Sequence, residues 1–330
     1  MTLTRRDFLR AAAATGAATL LSACGQVSGP PSRPSKADAA STGAAPYRLA
    51  HLSDIHVMPE LDGDRGFAQC LQAVHAIRPR PQLILTGGDL VHDARNADPQ
   101  RAHRLYDLFN AVAADSDIPM RHCIGNHDCF GWGPGSPIDP DHASYGKKLF
   151  RDRIGLDDLT YAFDAGGWRI CVVDDILPTR FDDRRGYQGG FAEKTLAFID
   201  EQFKAAADRP KLVCTHIPVV SATVMTYTGD VTGPARPLPT SLVTRNSKAM
   251  LGLLASHRVE LLLAGHLHQS ERITYQHTTH IGQGAVCGRW WQGPNAGTAE
   301  GFGLLELWPD GRWRHAYQTY PWTVHQSARL

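Results

Sequence analysis

The chain lacks several features that would otherwise decide its class. Its seven cysteines include no Cys-x-x-Cys pair, and their spacing encodes no small disulfide scaffold. Lys plus Arg number 34 against 33 for Asp plus Glu, so there is no global electrostatic case for binding a nucleic-acid polymer. No internal repeat is present. The apolar stretch Ala11 to Leu21 is too short and too weakly apolar to span a bilayer as a mature helix. What remains is an ordinary globular composition, 42% apolar and 20% charged. Residues 47–330 are enough for one large α/β domain with a substantial core.

Against this plain background, clusters of metal-ligand residues recur in a fixed setting. They are Asp54-x-His56, Gly88-Asp89, Gly125-Asn126-His127-Asp128, Thr215-His216 and Gly265-His266-Leu267-His268. Apolar runs at Arg48 to Leu52, Leu83 to Leu85, His122 to Ile124, Leu212 to Cys214 and Leu261 to Leu263 each end just before one of them. Such runs read as buried strands. The clusters then sit in loops leaving the carboxyl ends of strands, where α/β sheets place their binding crevices.

Each cluster alone has a plain structural reading. Asp54-x-His56 and Gly88-Asp89 are ordinary turn chemistry. Gly125 to Asp128 fits a loop, His216 a buried hydrogen-bonded histidine, and His266 and His268 an exposed polar turn or two imidazoles on one side of an extended segment. Their joint occurrence in order favours a metal site. A carboxylate bridges two cations, and imidazoles with an amide oxygen complete the shells. With no thiolate in the set, iron, manganese, zinc or cobalt are the expected ions. Water on such ions ionises near neutral pH, which supplies a hydroxide nucleophile without a serine or cysteine.

From Ala50 to His268 the order of motifs resembles the calcineurin-like metallophosphoesterase superfamily, most closely the branch containing class III cyclic-nucleotide phosphodiesterases. The resemblance implies a four-layer αββα sandwich with two mixed β-sheets. It implies that Asp54, His56, Asp89 and His268 hold a first metal, and that Asp89 bridges to a second held by Asn126, His216 and His266. His127 would assist the leaving oxygen, with Asp128 orienting its ring. The related purple acid phosphatases carry a tyrosine three residues after the bridging aspartate, where this chain has His92. A tyrosine-bound ferric site is therefore not expected, and His92 is either a substrate contact or a solvent-facing residue.

The amino terminus reads as an export signal. Thr4 to Arg10 is basic with paired arginines, a mildly apolar stretch follows, and the whole resembles a twin-arginine signal. Leu21-Ser22-Ala23-Cys24 resembles a lipobox, making Cys24 a lipidation candidate, with cleavage near Ala37-Asp38-Ala39 as the alternative. Residues 1–24 are thus read as signal with lipobox, 25–46 as a Pro-, Ser- and Ala-rich disordered linker, and 47–330 as the phosphoesterase domain. The expected location is the periplasm or cell envelope, with membrane contact through the lipid.

Helical spacing recurs at Gly66 to Ile77, Arg101 to Ala114, Ala192 to Ala207 and Ser247 to Ser256. Further strands are expected at Tyr161 to Phe163, Arg169 to Val173, Arg272 to Tyr275, Leu304 to Trp308 and Arg312 to Tyr320. Long loops span Phe130 to Asp141 and Gly284 to Gly303. In the second, Arg289, Trp290 and Trp291 either clamp and stack substrate or plug the core. Arg180, Arg184 and Arg185, in an Asp-rich loop, are lesser candidates for phosphate contact, with a solvated surface run the favoured reading. Cys123, Cys171 and Cys214 pack as small apolar side chains, and the role of Cys129 stays open.

The expected activity is metal-dependent hydrolysis of a small phosphate ester, with phosphodiesters favoured. An exported phosphomonoesterase or nucleotidase is the alternative within the class. A surface-anchored binding protein that keeps the fold without turnover is the alternative outside it.

Overall fold

Strands form where the short apolar runs stand, and the reason is visible in their burial. In a computed structural model, which describes residues 44–228 and 238–324, the runs at 83–87, 211–214 and 261–264 are buried at every position. Parallel strands covered on both faces need such unbroken apolar sequence. The signal, Cys24, the Ala37 to Ala39 alternative and linker residues 25–43 lie outside the described residues.

In chain order the strands are β1 Tyr47–Leu52, β2 Leu83–Gly87, β3 Met120–Cys123, β4 Tyr161–Ala165, β5 Trp168–Val172, β6 Ile176–Phe181 and β7 Arg184–Gly189. They continue with β8 Lys211–Cys214, β9 Leu261–Ala264, β10 Glu271–Tyr275, β11 Thr278–Gly282, β12 Gly301–Leu307 and β13 Trp313–Thr319. One sheet runs β13-β12-β1-β2-β3, the other β10-β11-β9-β8-β5-β4, and β6 pairs with β7 alone. Both large sheets are mixed. Strands β1, β2 and β3 run parallel with β3 at one edge, β5, β8, β9 and β11 run parallel within the other sheet, and antiparallel partners close the remaining edges.

The sheets face each other across a core that includes Leu49, Leu85 and Leu305 from the first and Trp168, Leu212 and Leu263 from the second. Helices α1 Gly63–Ala76 and α2 Pro99–Ala113 cover the outer face of the first sheet. After α3 Lys148–Ile154, helices α4 Glu193–Ala206 and, beyond α5 Val224–Thr228, α6 Ser247–Ser256 cover the second. This is the four-layer αββα sandwich. Helix α1 buries Phe67, Cys70, Leu71 and Val74, the three-and-four spacing of one helical face. Helix α2 begins where Asp98 accepts a 2.7 Å bond from the Arg101 amide, with Pro99 in the first turn.

The segment around Arg180 to Arg185 departs from the sequence reading. It forms the β6–β7 hairpin instead of a solvated loop. Asp182 and Asp183 turn the chain with positive φ of 48° and 62°, the two-residue geometry that suits a hairpin. Its strands carry little apolar alternation, so periodicity did not announce them. The described cysteines 70, 123, 129, 171, 214 and 287 are all buried and free.

One packing contact ties the core to a later loop. A Cβ on Gly66 of α1 would lie 2.2 Å from the Trp291 ring. Gly to Ala inside a helix normally stabilises by about 0.5–1 kcal/mol. Here Gly66→Ala should instead destabilise by about 1–3 kcal/mol through overpacking. Urea unfolding checks the sign, and a raised midpoint would contradict this packing.

Candidate metal centre

The parallel strands β1, β2, β3, β8 and β9 all deliver their following residues to one crevice between the sheets. Asp54 and His56 follow β1, Asp89 follows β2, Asn126 follows β3, His216 follows β8, and His266 and His268 follow β9. Asp54, His56, Asp89, Asn126, His216 and His268 are buried, and His266 is partly so. Among the described residues, Asp54, His56 and Asp89 form one compact ligand group, Asp89, His216 and His266 another, and His56, His268 and Cys287 a third.

The backbone pays attention to these positions in a costly way: Asp54, His56, Asp89, His266 and His268 have φ of 55°, 46°, 53°, 73° and 52°. Left-handed non-glycine residues cost of order 1–3 kcal/mol each and cluster at functional sites. His266 and His268 therefore sit in a tight turn and not, as spacing suggested, on an extended segment. Gly125 serves close approach, since a Cβ there would lie 2.2 Å from the Asp89 amide nitrogen and Oδ1.

All four imidazoles are oriented from behind by main-chain carbonyls. His56 Nδ1 donates to the His92 carbonyl at 3.3 Å, His216 Nδ1 to Gly87 at 2.8 Å, His266 Nε2 to Ser241 at 2.7 Å and His268 Nδ1 to Gly288 at 2.7 Å. A ring nitrogen that donates outward leaves the other as a lone pair pointing inward. The inward nitrogens crowd together, with His56 Nε2 3.1 Å from His268 Nε2 and His266 Nδ1 3.3 Å from His216 Nε2. Facing lone pairs need a proton or a cation between them. Asp89 Oδ2 lies 3.5 Å from His56 Nε2 and 3.3 Å from His216 Nε2, between the two halves. Asn126 Oδ1 is 3.0 Å from His216 Nε2, and its Nδ2 is buried without a partner.

The protonation pattern carries the same message. Burial alone would push His216 down, but the Asp89 and Asp54 carboxylates raise it to about 10. His266 is lowered to about 3 by burial and by His216 beside it. The direction of the His216 shift marks carboxylate charge concentrated at this point, which a bound cation would neutralise. The donor set of oxygen and imidazole nitrogen fits hard or borderline divalent ions. Cys287 Sγ is also near, 3.9 Å from His268 Nδ1, but that is the outward nitrogen and burial raises the thiol, so it presents no thiolate.

His127 and its neighbours correct one assignment. The Asp128 carboxylate accepts from the amides of Leu90, Val91 and Gly125 at 2.9, 3.2 and 2.8 Å, so it fixes the loop and does not orient the His127 ring. Burial and then the charge of Asp89 raise Asp128 to about 8. The ring of His127 instead meets an Asp93–Arg95 pair: Asp93 Oδ1 accepts from Arg95 Nε at 3.0 Å and lies 3.5 Å from His127 Nδ1, while Arg95 Nη2 is 3.3 Å from Nδ1 and 3.0 Å from Nε2. The His127 amide donates to Asp89 Oδ1 at 2.7 Å.

The aromatic pair divides. Trp290 lies over the site, with ring centroids 4.0 Å from His56, 4.9 Å from His127 and 5.3 Å from both His92 and His268. Trp291 is fully buried and donates Nε1 to the His56 carbonyl at 3.0 Å, which leaves no face for substrate. Arg289 is exposed at the loop surface. His92 is half-buried beside Trp290. Residues that the sequence did not single out are Asp93, Arg95, Tyr187 and Asp175. Tyr187 has Arg95 5.4 Å from its ring centre and lies 6.1 Å from the His266 ring. Asp175, raised to about 7 by burial, accepts from the amides of His216 and Ile217 at 3.3 and 2.8 Å.

Residues 47–270 match the calcineurin-like phosphoesterase family. The chain belongs to that family. It is a metallophosphoesterase, and the family's centre uses divalent metal ions. Residues 2–22 match the twin-arginine translocation signal, so this phosphoesterase carries an export signal. It is 22% identical over 297 residues to a 3′,5′-cyclic-nucleotide phosphodiesterase of Nostoc sp., covering 84% of this chain and 94% of that protein. It is 39% identical over 155 residues to a serine/threonine-protein phosphatase of Danio rerio, covering 46% of this chain and 45% of that one. A dimetal phosphatase structure from Danio rerio aligns with a TM-score of 0.56 at 22% identity, over 84% of this chain and all of that one, and shows the shared fold.

A ligand that binds only the folded state stabilises it by about 2.7 kcal/mol at a hundredfold excess over Kd. Manganese should therefore raise the melting temperature of the metal-free enzyme, and Asp89→Ala should abolish the rise. An equal rise in Asp89→Ala would contradict the placement of Asp89 at the centre.

Proposed function

We propose that this phosphoesterase hydrolyses small phosphodiesters after export, using two cations. Asp54, His56, Asp89 and His268 would hold one ion, and Asp89, Asn126, His216 and His266 would hold the other. The observation that carries this reading is the position of Asp89 Oδ2, 3.5 Å from His56 Nε2 and 3.3 Å from His216 Nε2. Iron, manganese, zinc or cobalt suit these donors. When bound, such ions polarise phosphoryl oxygens and bring the pKa of water to about 7.

The chain's own groups do the rest. The outward carbonyl bonds hold each imidazole in the tautomer that presents a lone pair. Asp93, 3.5 Å from His127 Nδ1, helps hold the ring at the site, where His127 assists the leaving oxygen. Arg95, paired with Asp93 and against the His127 ring, brings positive charge to the phosphoryl group. Trp290 excludes water from the side of the first ion. Asp128 and Asp175 fix the loops that carry Asn126 and His216.

A diester is favoured because an alkoxide leaving group gains most from the His127 proton, and the Nostoc relative is named for cyclic-nucleotide phosphodiesters. The Danio rerio relative, named as a protein phosphatase, supports a monoester as the second reading. We further assign residues 47–330 to the catalytic domain, 25–46 to a linker, and Cys24, two positions past the matched signal, to lipidation that retains the enzyme in the envelope.

His127→Ala should keep both metals and lose about 10²- to 10⁴-fold in kcat on a 3′,5′-cyclic nucleotide, whose leaving group is an alkoxide. Asp93→Asn should fall between it and the parent enzyme. Metal analysis with steady-state kinetics checks both, and a fully active His127→Ala would contradict the role. Fatty-acid labelling in the exporting cell should mark the parent chain and spare Cys24→Ala; equal labelling would remove the anchor.

A further inference from the structure

The substrate's ester substituent needs a place beside the centre, where the Trp290 ring lies 4.0 Å from that of His56 over the first half and the Tyr187 ring 6.1 Å from that of His266 on the other. Tyr187 belongs to β7, and Arg185, two residues earlier, lies on the same face of that strand. Same-face neighbours along a strand are about 6.6–7 Å apart. Beside Arg185 is a cavity of about 260 Å³ whose lining includes Trp132, Tyr145, Thr179, Arg180 and Arg185. Trp132 comes from the loop that continues directly from His127, so one wall of the cavity is covalently continuous with the metal centre's own loop.

The lining has a definite chemistry. Arg185 donates to the carbonyls of Ile138 and Gly131, and its guanidinium carbon stands 5.5 Å from the Tyr145 ring centre, which holds that side chain over the aromatic face. Arg180 is exposed at the rim and donates to the Asp183 carbonyl at 3.4 Å. No carboxylate is among the described lining residues. Aromatic faces with guanidinium donors suit a flat, electron-rich ring that carries hydrogen-bond acceptors. A small alkyl group would leave the aromatic faces uncovered.

We propose that the cavity between the β6–β7 hairpin and the 130–146 loop is the subsite for the substrate's ester substituent, and that it takes a planar, acceptor-bearing aromatic group of nucleobase size. This rests on the phosphodiesterase reading above and adds its specificity. The metal-loaded enzyme is assayed on bis(p-nitrophenyl) phosphate with thymidine 5′-monophosphate and methyl phosphate as competing ligands. The thymidine compound should inhibit at least about tenfold more tightly, the scale of one stacked base. In Tyr145→Ala and, separately, in the exposed variant Arg180→Glu, that ratio should fall towards one. Because both inhibitors are compared on the same protein sample, a partly folded variant does not mimic the result. Hydrolysis with equal inhibition constants in the parent enzyme, or a ratio that survives both variants, overturns the subsite alone. Absence of all hydrolysis in the metal-loaded parent overturns the functional reading, and the subsite with it.

Discussion

The whole centre depends on a set of backward-facing hydrogen bonds. His56, His216, His266 and His268 each spend one ring N–H on a main-chain carbonyl, at 3.3, 2.8, 2.7 and 2.7 Å. That commitment turns the remaining nitrogens inward as acceptors and sets two of them 3.1 Å apart. The Gly87 carbonyl belongs to the buried strand β2, which fixes the aim of His216. The sandwich provides this rigidity, because Leu49, Leu85, Leu212 and Leu263, on the strands that feed the site, are locked in the core between the sheets. Burial of each such side chain contributes about 1.5–3 kcal/mol, enough together to hold the left-handed backbone at Asp54, His56 and Asp89.

Beyond the ligand set lies a ring of supports. Trp291 links the core helix α1 to the His56 carbonyl, and Asp175 and Asp128 pin the loops after β8 and β3 through main-chain amides. None of these touches the crevice where substrate would lie. Trp290, one residue from a fully buried neighbour, does face it, and its ring covers three imidazoles that surround the first half. The loop thereby joins packing and site formation in adjacent residues.

Much of this was legible in the sequence because the candidate ligands follow strands, and strands that are buried on both faces are apolar throughout. The order Asp54, Asp89, Asn126, His216, His266 and the helices over 66–77 and 101–114 could be read that way. What could not be read is set by contacts between distant segments. Asp93 and Arg95 sit in a polar stretch with no periodicity, and only the fold brings them to His127. Asp128 follows His127 directly, which invited a pairing with its ring, yet its carboxylate turns to the Leu90 and Val91 amides. The hairpin carrying Tyr187 was hidden because charged strands joined by two aspartates look like a loop. Trp290 and Trp291 are chemically identical in sequence, and which one is buried depends on the space above Gly66.

The central claim is that Asp89 joins two metal-binding halves. Anomalous diffraction at the manganese edge from crystals of the manganese-loaded protein tests it most directly. The account predicts two peaks roughly 3.5–4 Å apart on either side of the Asp89 carboxylate. A single peak, or peaks away from Asp89, would contradict it.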